Sequence, residues 1–191
     1  MPAQPKTTST EIVKAARHLL KKVGRDGFSM ADVADLVGVR APSLYGHFRN
    51  KSELMSAVEL HVCSEIKKLW EKAAIANRPE ASLMAQAKAA RGFAKKDPHS
   101  YSLLFDIQSV PTEEGTAARG DALAPIMVSL AALAGKEHAF GAARVLIPFL
   151  HGFISMELAS AFRLAGGVDA SFENGVATVL RGIRRPDQFD A

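Results

Sequence analysis

Apolar residues recur every three or four positions along almost the whole chain, which predicts an all-α fold. The alternation of apolar and polar residues that is typical of strands does not occur between turn residues. Proline and glycine divide the pattern into about nine helices. The sequence therefore predicts a three-helix N-terminal domain over 6–53 and a helical bundle over 54–185, joined by a fourth helix at 52–76.

The first fifty residues predict three short helices joined by tight turns. Ser9 or Thr10 is placed to cap the first helix, and Ser29 to cap the second. Gly38 permits the left-handed turn that precedes the third helix. Asn50 either ends the third helix or caps the fourth. Short second and third helices separated by a glycine turn are typical of a helix-turn-helix.

The third predicted helix combines an apolar anchor with a polar face. Leu44 and Phe48 are spaced to face inward, and Pro42 lies in the first turn, where its missing N–H costs nothing. Side chains on the other face suit base edges and phosphates, and the start of helix two offers backbone N–H groups. The predicted DNA contacts are Ser29, Met30, Arg40, Ala41, Pro42, Ser43, Tyr45, Gly46, His47 and Lys51.

The excess positive charge of the chain lies in its first quarter. Residues 1–53 hold nine Lys and Arg against five Asp and Glu, whereas residues 54–191 hold fifteen of each. This distribution favours a polyanion-binding module joined to a neutral body. A solvated basic face without a partner is the alternative. For Tyr45, His47 and Arg40 the corresponding alternatives are core packing, local capping and simple solvation.

The second domain is divided by helix-breaking residues. Its helices are predicted at 80–96, 98–107, 116–134 and 137–164, with a last one from Asp169 or Ser171 to about 183. Pro125 and Pro148 lie inside two of them and should kink them.

The 137–164 helix is apolar on nearly all sides, so two surfaces must cover it. We expect its own domain to cover one side and a second copy of the chain the other, although burial within a monomer is the alternative. The predicted dimer interface consists of Phe149, Phe153, Met156, Phe172, Val176, Val179 and Leu180.

Helical bundle cores are common sites for small molecules. The candidate pocket residues are aromatic and aliphatic side chains with two histidines as polar groups, although ordinary core packing is an alternative for each. They are Trp70, Met84, Phe93, Tyr101, Leu104, Phe105, Ile107 and Met127, with His99 or His151.

Several classes of function find no support in the residues. The single cysteine, Cys63, excludes an intramolecular disulfide, and a reducing, cytoplasmic location follows as the expectation. Apolar stretches are interrupted before they reach the ~20 residues of a membrane span. No histidine pairing, nucleophile elbow or phosphate loop appears in the sequence. We therefore expect no enzyme activity, no metal, no cofactor and no membrane association.

Between Thr10 and Leu54 the chain carries a series of short motifs at fixed spacing. They are Phe28-Ser29, Val33-Ala34, Gly38-Val39, Pro42-Ser43-Leu44-Tyr45, His47-Phe48, Asn50-Lys51 and Leu54. In this segment the chain resembles the DNA-binding domain of the TetR family of bacterial transcriptional regulators. The resemblance implies a homodimer that places one recognition helix of each subunit in successive major grooves of a near-palindromic operator.

Two further comparisons qualify the resemblance. Ala31, Ala41 and Gly46 stand where family members often carry longer side chains, so base readout should depend on Arg40 and Ser43. The stretch 150–158, followed by 172–173, is similar to a C-terminal branch of the family known for a Trp-His-Gly triplet, with leucine in place of the tryptophan.

The sequence as a whole predicts a ligand-responsive, dimeric transcriptional repressor that a small-molecule effector releases from DNA. A helical small-molecule-binding or interaction module without a specific operator is the alternative.

Overall fold

A computed structural model describes residues 7–105, 112–164 and 166–184. Within these ranges the chain forms nine helices and no strand, as predicted. The helices are α1 Ser9–Val23, α2 Met30–Val37, α3 Ala41–Tyr45, α4 Lys51–Ala73, α5 Pro79–Lys96, α6 Pro98–Leu103, α7 Glu113–Ala134, α8 Ala139–Leu158 and α9 Val168–Ile183.

The described residues divide into two compact units. Unit 1 is drawn from Met1–Glu65 and Asp97–Arg119, and unit 2 from Ile66–Lys96 and Gly120–Ala191. This division differs from the predicted boundary at 53/54, because α6 and the first half of α4 pack with the N-terminal helices. Both α4 and α7 continue from one unit into the other.

Helix α1 begins one residue earlier than expected. Its N-cap is Thr8, not Ser9 or Thr10, because the Thr8 hydroxyl accepts the Glu11 N–H at 3.2 Å while the Glu11 carboxylate accepts the Thr8 N–H at 2.8 Å. This reciprocal pair is a capping box, which satisfies two N–H groups at the helix start. Ile12 on the inner face of α1 is fully buried in unit 1.

Arg17 ties α1 to α4 and α6 inside unit 1. Its guanidinium donates to Glu65 Oε2 at 2.8 Å and to Asp97 Oδ2 at 2.5 Å. The other Asp97 oxygen accepts the Ser100 N–H at 3.2 Å and so caps α6. Burial alone would lower the pKa of Arg17, but the hydrogen bonds to Glu65 and Asp97 outweigh it and raise that pKa. This network explains why α6 belongs to unit 1.

The ambiguous residue Asn50 caps α4. Its side-chain oxygen accepts the Glu53 N–H at 2.9 Å, and the Glu53 carboxylate accepts the Arg49 N–H at 2.7 Å. The recognition helix therefore ends before Asn50, and α4 begins directly after it at Lys51.

Three helix ends in the second half of the chain differ from the sequence expectation. Helix α7 starts at Glu113, three residues before the predicted 116, because the Thr112 hydroxyl accepts the Gly115 N–H at 2.9 Å. Helix α8 ends at Leu158 rather than near 164, because Ser160 takes a φ of 53°. Helix α6 ends at Leu103 rather than 107, and residues 106–111 lie outside the described part of the chain.

Unit 2 is built around α5, which packs against α8 and α9. Pro125 and Pro148 lie inside α7 and α8, as the sequence indicates. The largest apolar side chains that are almost completely buried in it are Leu83, Ile126, Leu130, Leu146, Ile154, Phe172 and Leu180. By length and composition alone, α7 and α8 could cross a membrane, but core helices of soluble proteins have the same composition.

A charged cluster holds α5, α8 and α9 together. Arg91 donates to both carboxylate oxygens of Glu157 at 2.6 Å and lies 2.7 Å from Asp169. Its guanidinium also stacks over the Phe172 ring, 4.8 Å from the centroid. Hydrogen bonds from Arg91, and then from Lys95, lower the pKa of Glu157 below its ordinary value.

Glu157→Gln should therefore lower the free energy of unfolding by an amount that depends on pH. Because the folded pKa of Glu157 is lowered, its carboxylate stabilises the fold above the unfolded pKa, and this contribution disappears as the pH falls through the folded value. We expect a loss of about 1–3 kcal/mol in the free energy of unfolding near neutral pH, shrinking in acid. Urea titrations at several pH values from neutral into acid measure this loss. Glu173→Gln, which changes an exposed pair with Lys88, is the control. A constant difference at every pH would contradict the assignment.

Candidate DNA-binding site

Helix α3 is short and depends on buried anchors. It spans only Ala41–Tyr45, and Arg40 precedes it in an extended conformation with φ −78° and ψ 144°. Leu44 and Phe48 are buried, as predicted from their spacing. The Leu44 carbonyl accepts the N–H groups of His47 and Phe48, in and just after the turn that follows α3, each at 2.9 Å. The anchors thus fix both the helix and the turn after it.

The opposite face of α3 is open to solvent. The side chain of Tyr45 is 53% exposed, which rules out the alternative of a core aromatic. Arg40, Ser43 and His47 are also exposed. His47 Nδ1 lies 3.0 Å from Ser9 Oγ, so the imidazole is steadied by the start of α1. Seven predicted contact residues lie within α3 or directly next to it: Arg40, Ala41, Pro42, Ser43, Tyr45, Gly46 and His47.

The start of α2 already carries an anion from the protein itself. Ser29 caps the helix as predicted, but its N–H donates to Asp32 Oδ2 at 2.6 Å, and its hydroxyl accepts the Asp32 N–H at 3.3 Å. These bonds to Ser29 lower the pKa of Asp32. The Ser29 N–H that we expected at a phosphate is therefore engaged within the chain. The sequence itself indicates this role of Asp32, because Ser-x-x-Asp has the spacing of a capping box.

Met30, the other predicted DNA contact at the start of α2, belongs to the core of unit 1. Its side chain is buried, so any contact with DNA must come from its backbone.

Lys51 is held by main-chain carbonyls. Its ammonium donates to the carbonyl of Arg25 at 2.6 Å and to that of Phe28, and it stands 4.4 Å from the centroid of the Phe28 ring. In the structure Lys51 therefore fastens the turn between α1 and α2 to the start of α4. The structure thus gives Lys51 a positioning role, and its contact with phosphate stays a prediction.

The predicted pocket residues are divided between the two units. Tyr101, Leu104 and Phe105 belong to unit 1, where the rings of Tyr101 and Phe105 lie 5.2 Å apart. His99, also in unit 1, packs against Gly24. Ile107 lies outside the described residues. The others belong to unit 2: Trp70, Met84, Phe93, Met127 and His151.

Within unit 2 these side chains have different surroundings. Trp70 is buried and donates to the Gln86 carbonyl at 3.2 Å. Met84 lines a cleft of about 490 Å³. Phe93, Met127 and His151 are half-buried. Burial lowers the pKa of His151. A pocket formed by these residues therefore stays a prediction.

The predicted dimer residues fall into two groups. Phe172, Val176 and Leu180 are buried within the single chain, so they form the core of unit 2 and not a subunit interface. Phe149 packs against Gly175 and Phe153 lies 5.2 Å from the Phe172 ring, so these two mainly join α8 to α9. Val179 is half-buried and Met156 is 50% exposed. For Phe172, Val176 and Leu180 the assignment therefore changes from dimer interface to core.

The arrangement in unit 1 defines a helix-turn-helix protein. Comparisons with known proteins identify the kind. A model of "Bacterial regulatory proteins, tetR family" matches residues 12–58, and one of "Tetracyclin repressor-like, C-terminal domain" matches residues 83–179. The chain belongs to the TetR family of bacterial transcriptional regulators, with a helix-turn-helix DNA-binding domain and a C-terminal domain of the ligand-binding type.

Two relatives and one solved structure match almost the whole chain. An uncharacterized HTH-type transcriptional regulator of Mycobacterium tuberculosis, Rv0681, is 28% identical over 96% of this chain and 85% of its own length. The tetracycline repressor protein class A of Escherichia coli is 29% identical over 95% of this chain and 91% of its own. The fold matches that of a TetR protein variant from Acinetobacter baumannii in complex with minocycline, with a TM-score of 0.64, 21% identity and coverage of 92% and 96%.

Replacing Lys51 should reveal its structural role. Lys51→Met keeps the aliphatic stem but removes the donors to Arg25 and Phe28, so we expect the free energy of unfolding to fall by about 1–3 kcal/mol. Chemical denaturation without DNA measures the loss. Lys14→Met, at an exposed position of α1, is the matched control and should change stability little. Equal stabilities of the two variants would show that the Lys51 contacts do not hold the turn.

Proposed function

We propose that this TetR-family regulator is a homodimeric repressor that binds a near-palindromic operator and is released from it by a small-molecule effector. The single observation that carries the DNA-binding part is the solvent-open face of α3 on its Leu44 and Phe48 anchors. A cytoplasmic location follows from this role.

The chemistry of that face suits a major groove. Arg40 and Ser43 supply hydrogen-bond donors for base edges, and Ala41 supplies a methyl group suited to thymine. Tyr45 and His47 stand farther along the same face, where hydroxyl and imidazole groups suit phosphate oxygens. Residues 1–53 hold four more Lys and Arg than Asp and Glu, which favours the approach of DNA to the N-terminal helices.

One face of α8 supports dimerisation. Val145 and Met156 are 52% and 50% exposed, although both are apolar. With the exposed Gly141, Pro148 and Gly152 they recur every three or four residues, so they form one stripe along the helix. The small residues allow a second helix to approach closely, and a two-fold axis would bring the same stripe of a second copy onto it.

Release by an effector follows the logic of linked equilibria. A small molecule that binds more tightly to a conformation with poorly spaced recognition helices lowers operator affinity by the ratio of its two affinities. The minocycline complex of the Acinetobacter protein shows that the fold accepts such a ligand in that protein. A regulator that binds effectors without any specific operator is the second candidate, and the first prediction below separates the two.

Arg40→Ala and Tyr45→Ala should each weaken binding to an operator duplex selected by the wild-type protein from random sequences. We expect a loss of about 1–3 kcal/mol for Arg40→Ala, together with relaxed sequence preference at the base that it contacts. Fluorescence anisotropy over a salt series measures both effects. The control, Lys68→Ala, removes one exposed charge from unit 2 and should leave affinity nearly unchanged. Unchanged, non-specific binding in all three variants would favour the second candidate.

Val145→Arg should convert the dimer to a monomer, because the two-fold axis would place a charge from each copy in an apolar interface. Size-exclusion chromatography with light scattering gives the mass of each species. Val23→Arg is a close match, since Val23 is 50% exposed but lies in unit 1, and it should remain a dimer. A Val145→Arg protein that keeps the dimer mass would refute this interface.

A further inference from the structure

A cleft of about 640 Å³ lies within unit 1, apart from the residues predicted for an effector in the C-terminal half. The first half of α4, the end of α6 and the start of α7 contribute its lining. This volume falls in the range of small-molecule sites, roughly 300–1,000 Å³. Phe48, Met55 and Leu103 are buried residues along it and supply apolar surface.

A buried carboxylate stands among these apolar groups. Glu59 on α4 is only 6% exposed, although it lines the cleft. Its Oε1 accepts a hydrogen bond of 2.6 Å from Nε of Arg119 on α7. A carboxylate removed from water needs a cationic partner, because an isolated buried charge is costly. The guanidinium of Arg119 shows which kind of group this carboxylate accepts, a planar cation with N–H donors.

Arg119 is the more exchangeable member of this pair. Its side chain is 36% exposed whereas that of Glu59 is 8% exposed, so water can solvate the guanidinium more readily than the carboxylate when the two separate. The other charges of the lining are equal in number, since it holds two further arginines and two further glutamates, Arg25, Arg49, Glu53 and Glu114. Glu59 is the buried charged group among them, so we expect it to decide which sign of ligand the cleft prefers.

We propose that this cleft binds a small organic cation of the amidine or guanidine class with an apolar body. The ligand's N–H groups would take the place of Arg119 at Glu59, and its apolar part would cover Met55 and Leu103. Such exchange retains a charge-assisted hydrogen bond at the buried carboxylate while adding apolar contact.

The cleft also touches the DNA-binding element directly. Phe48, an anchor of α3, and Asn50, the cap of α4, both line it. If the affinity of such a ligand depends on the position of α3, ligand and operator change each other's affinity by the same factor. This would be a second route of regulation, within unit 1 itself.

Benzamidine is a suitable probe, with neutral benzamide as its matched counterpart of nearly equal shape. Isothermal titration of the full-length protein without DNA should show benzamidine binding at least about tenfold more tightly than benzamide, the difference expected for a charge-assisted contact. Equal affinities, or no binding of benzamidine at millimolar concentration, would overturn the proposal. This arm contains no operator, so it does not depend on the proposed repressor function.

Two substitutions should move benzamidine affinity in opposite directions. Glu59→Gln removes the charge with little change of shape and should weaken binding by about tenfold or more. Arg119→Gln removes the competing cation and should tighten it. Glu173→Gln, in an exposed pair in unit 2, makes the same charge change as the first variant and should have no effect. Melting curves verify that each variant is folded. Equal weakening in the two glutamate variants, or weaker binding in Arg119→Gln, would contradict the site.

The operator arm tests the regulatory consequence. Saturating benzamidine should change the affinity of wild-type protein for its selected operator, and Glu59→Gln should lose that response while it still binds DNA. Benzamidine that binds at the cleft without altering operator affinity would overturn the second route of regulation. An operator response that persists in Glu59→Gln would place the effective site elsewhere.

Discussion

Burial of Leu44 and Phe48 is the interaction on which the DNA-binding surface depends. A helix of five residues does not persist alone in water, because too few hydrogen bonds repay the cost of starting it. The two anchors instead fix α3 through packing, and the Leu44 carbonyl carries that order into the following turn. The exposed groups Arg40 and Tyr45 keep a defined position only because the opposite face is buried. Apolar packing thus sets the geometry of a polar function.

Polar contacts extend this frame through unit 1. Lys51 fastens the turn before α2 to the start of α4, and Arg17 joins α1 to α4 and α6. Each of these cations is used inside the unit, so the basic character of residues 1–53 overstates the number of side chains ready for phosphate. Lys14, Lys21, Lys22, Arg40 and Arg49 are exposed, and Arg40 is the one that we propose for base contact. The cleft that contains the Glu59 carboxylate is also lined by Phe48, which is why a ligand there would act on α3.

The sequence was sufficient for the helical class, the helix-turn-helix and the inward position of Leu44 and Phe48, because these follow from periodicity and from turn residues. It was insufficient where a single side-chain contact decides. The start of α7 depends on the Thr112 hydroxyl, and the role of Lys51 depends on carbonyls more than twenty residues earlier in the chain. Phe172 was assigned to a dimer interface because an apolar stripe does not reveal whether its own chain already covers it. Long-range packing, which local spacing does not encode, accounts for these differences.

We expect a dimer to read two half-sites with two copies of α3. Hydroxyl-radical footprinting on DNA selected by the full-length protein measures this. Two protected segments should lie on one face of the duplex, related by inverted symmetry, with centres about one helical turn or ~10 base pairs apart. A single protected segment, direct repeats, or uniform protection without a preferred sequence would contradict it.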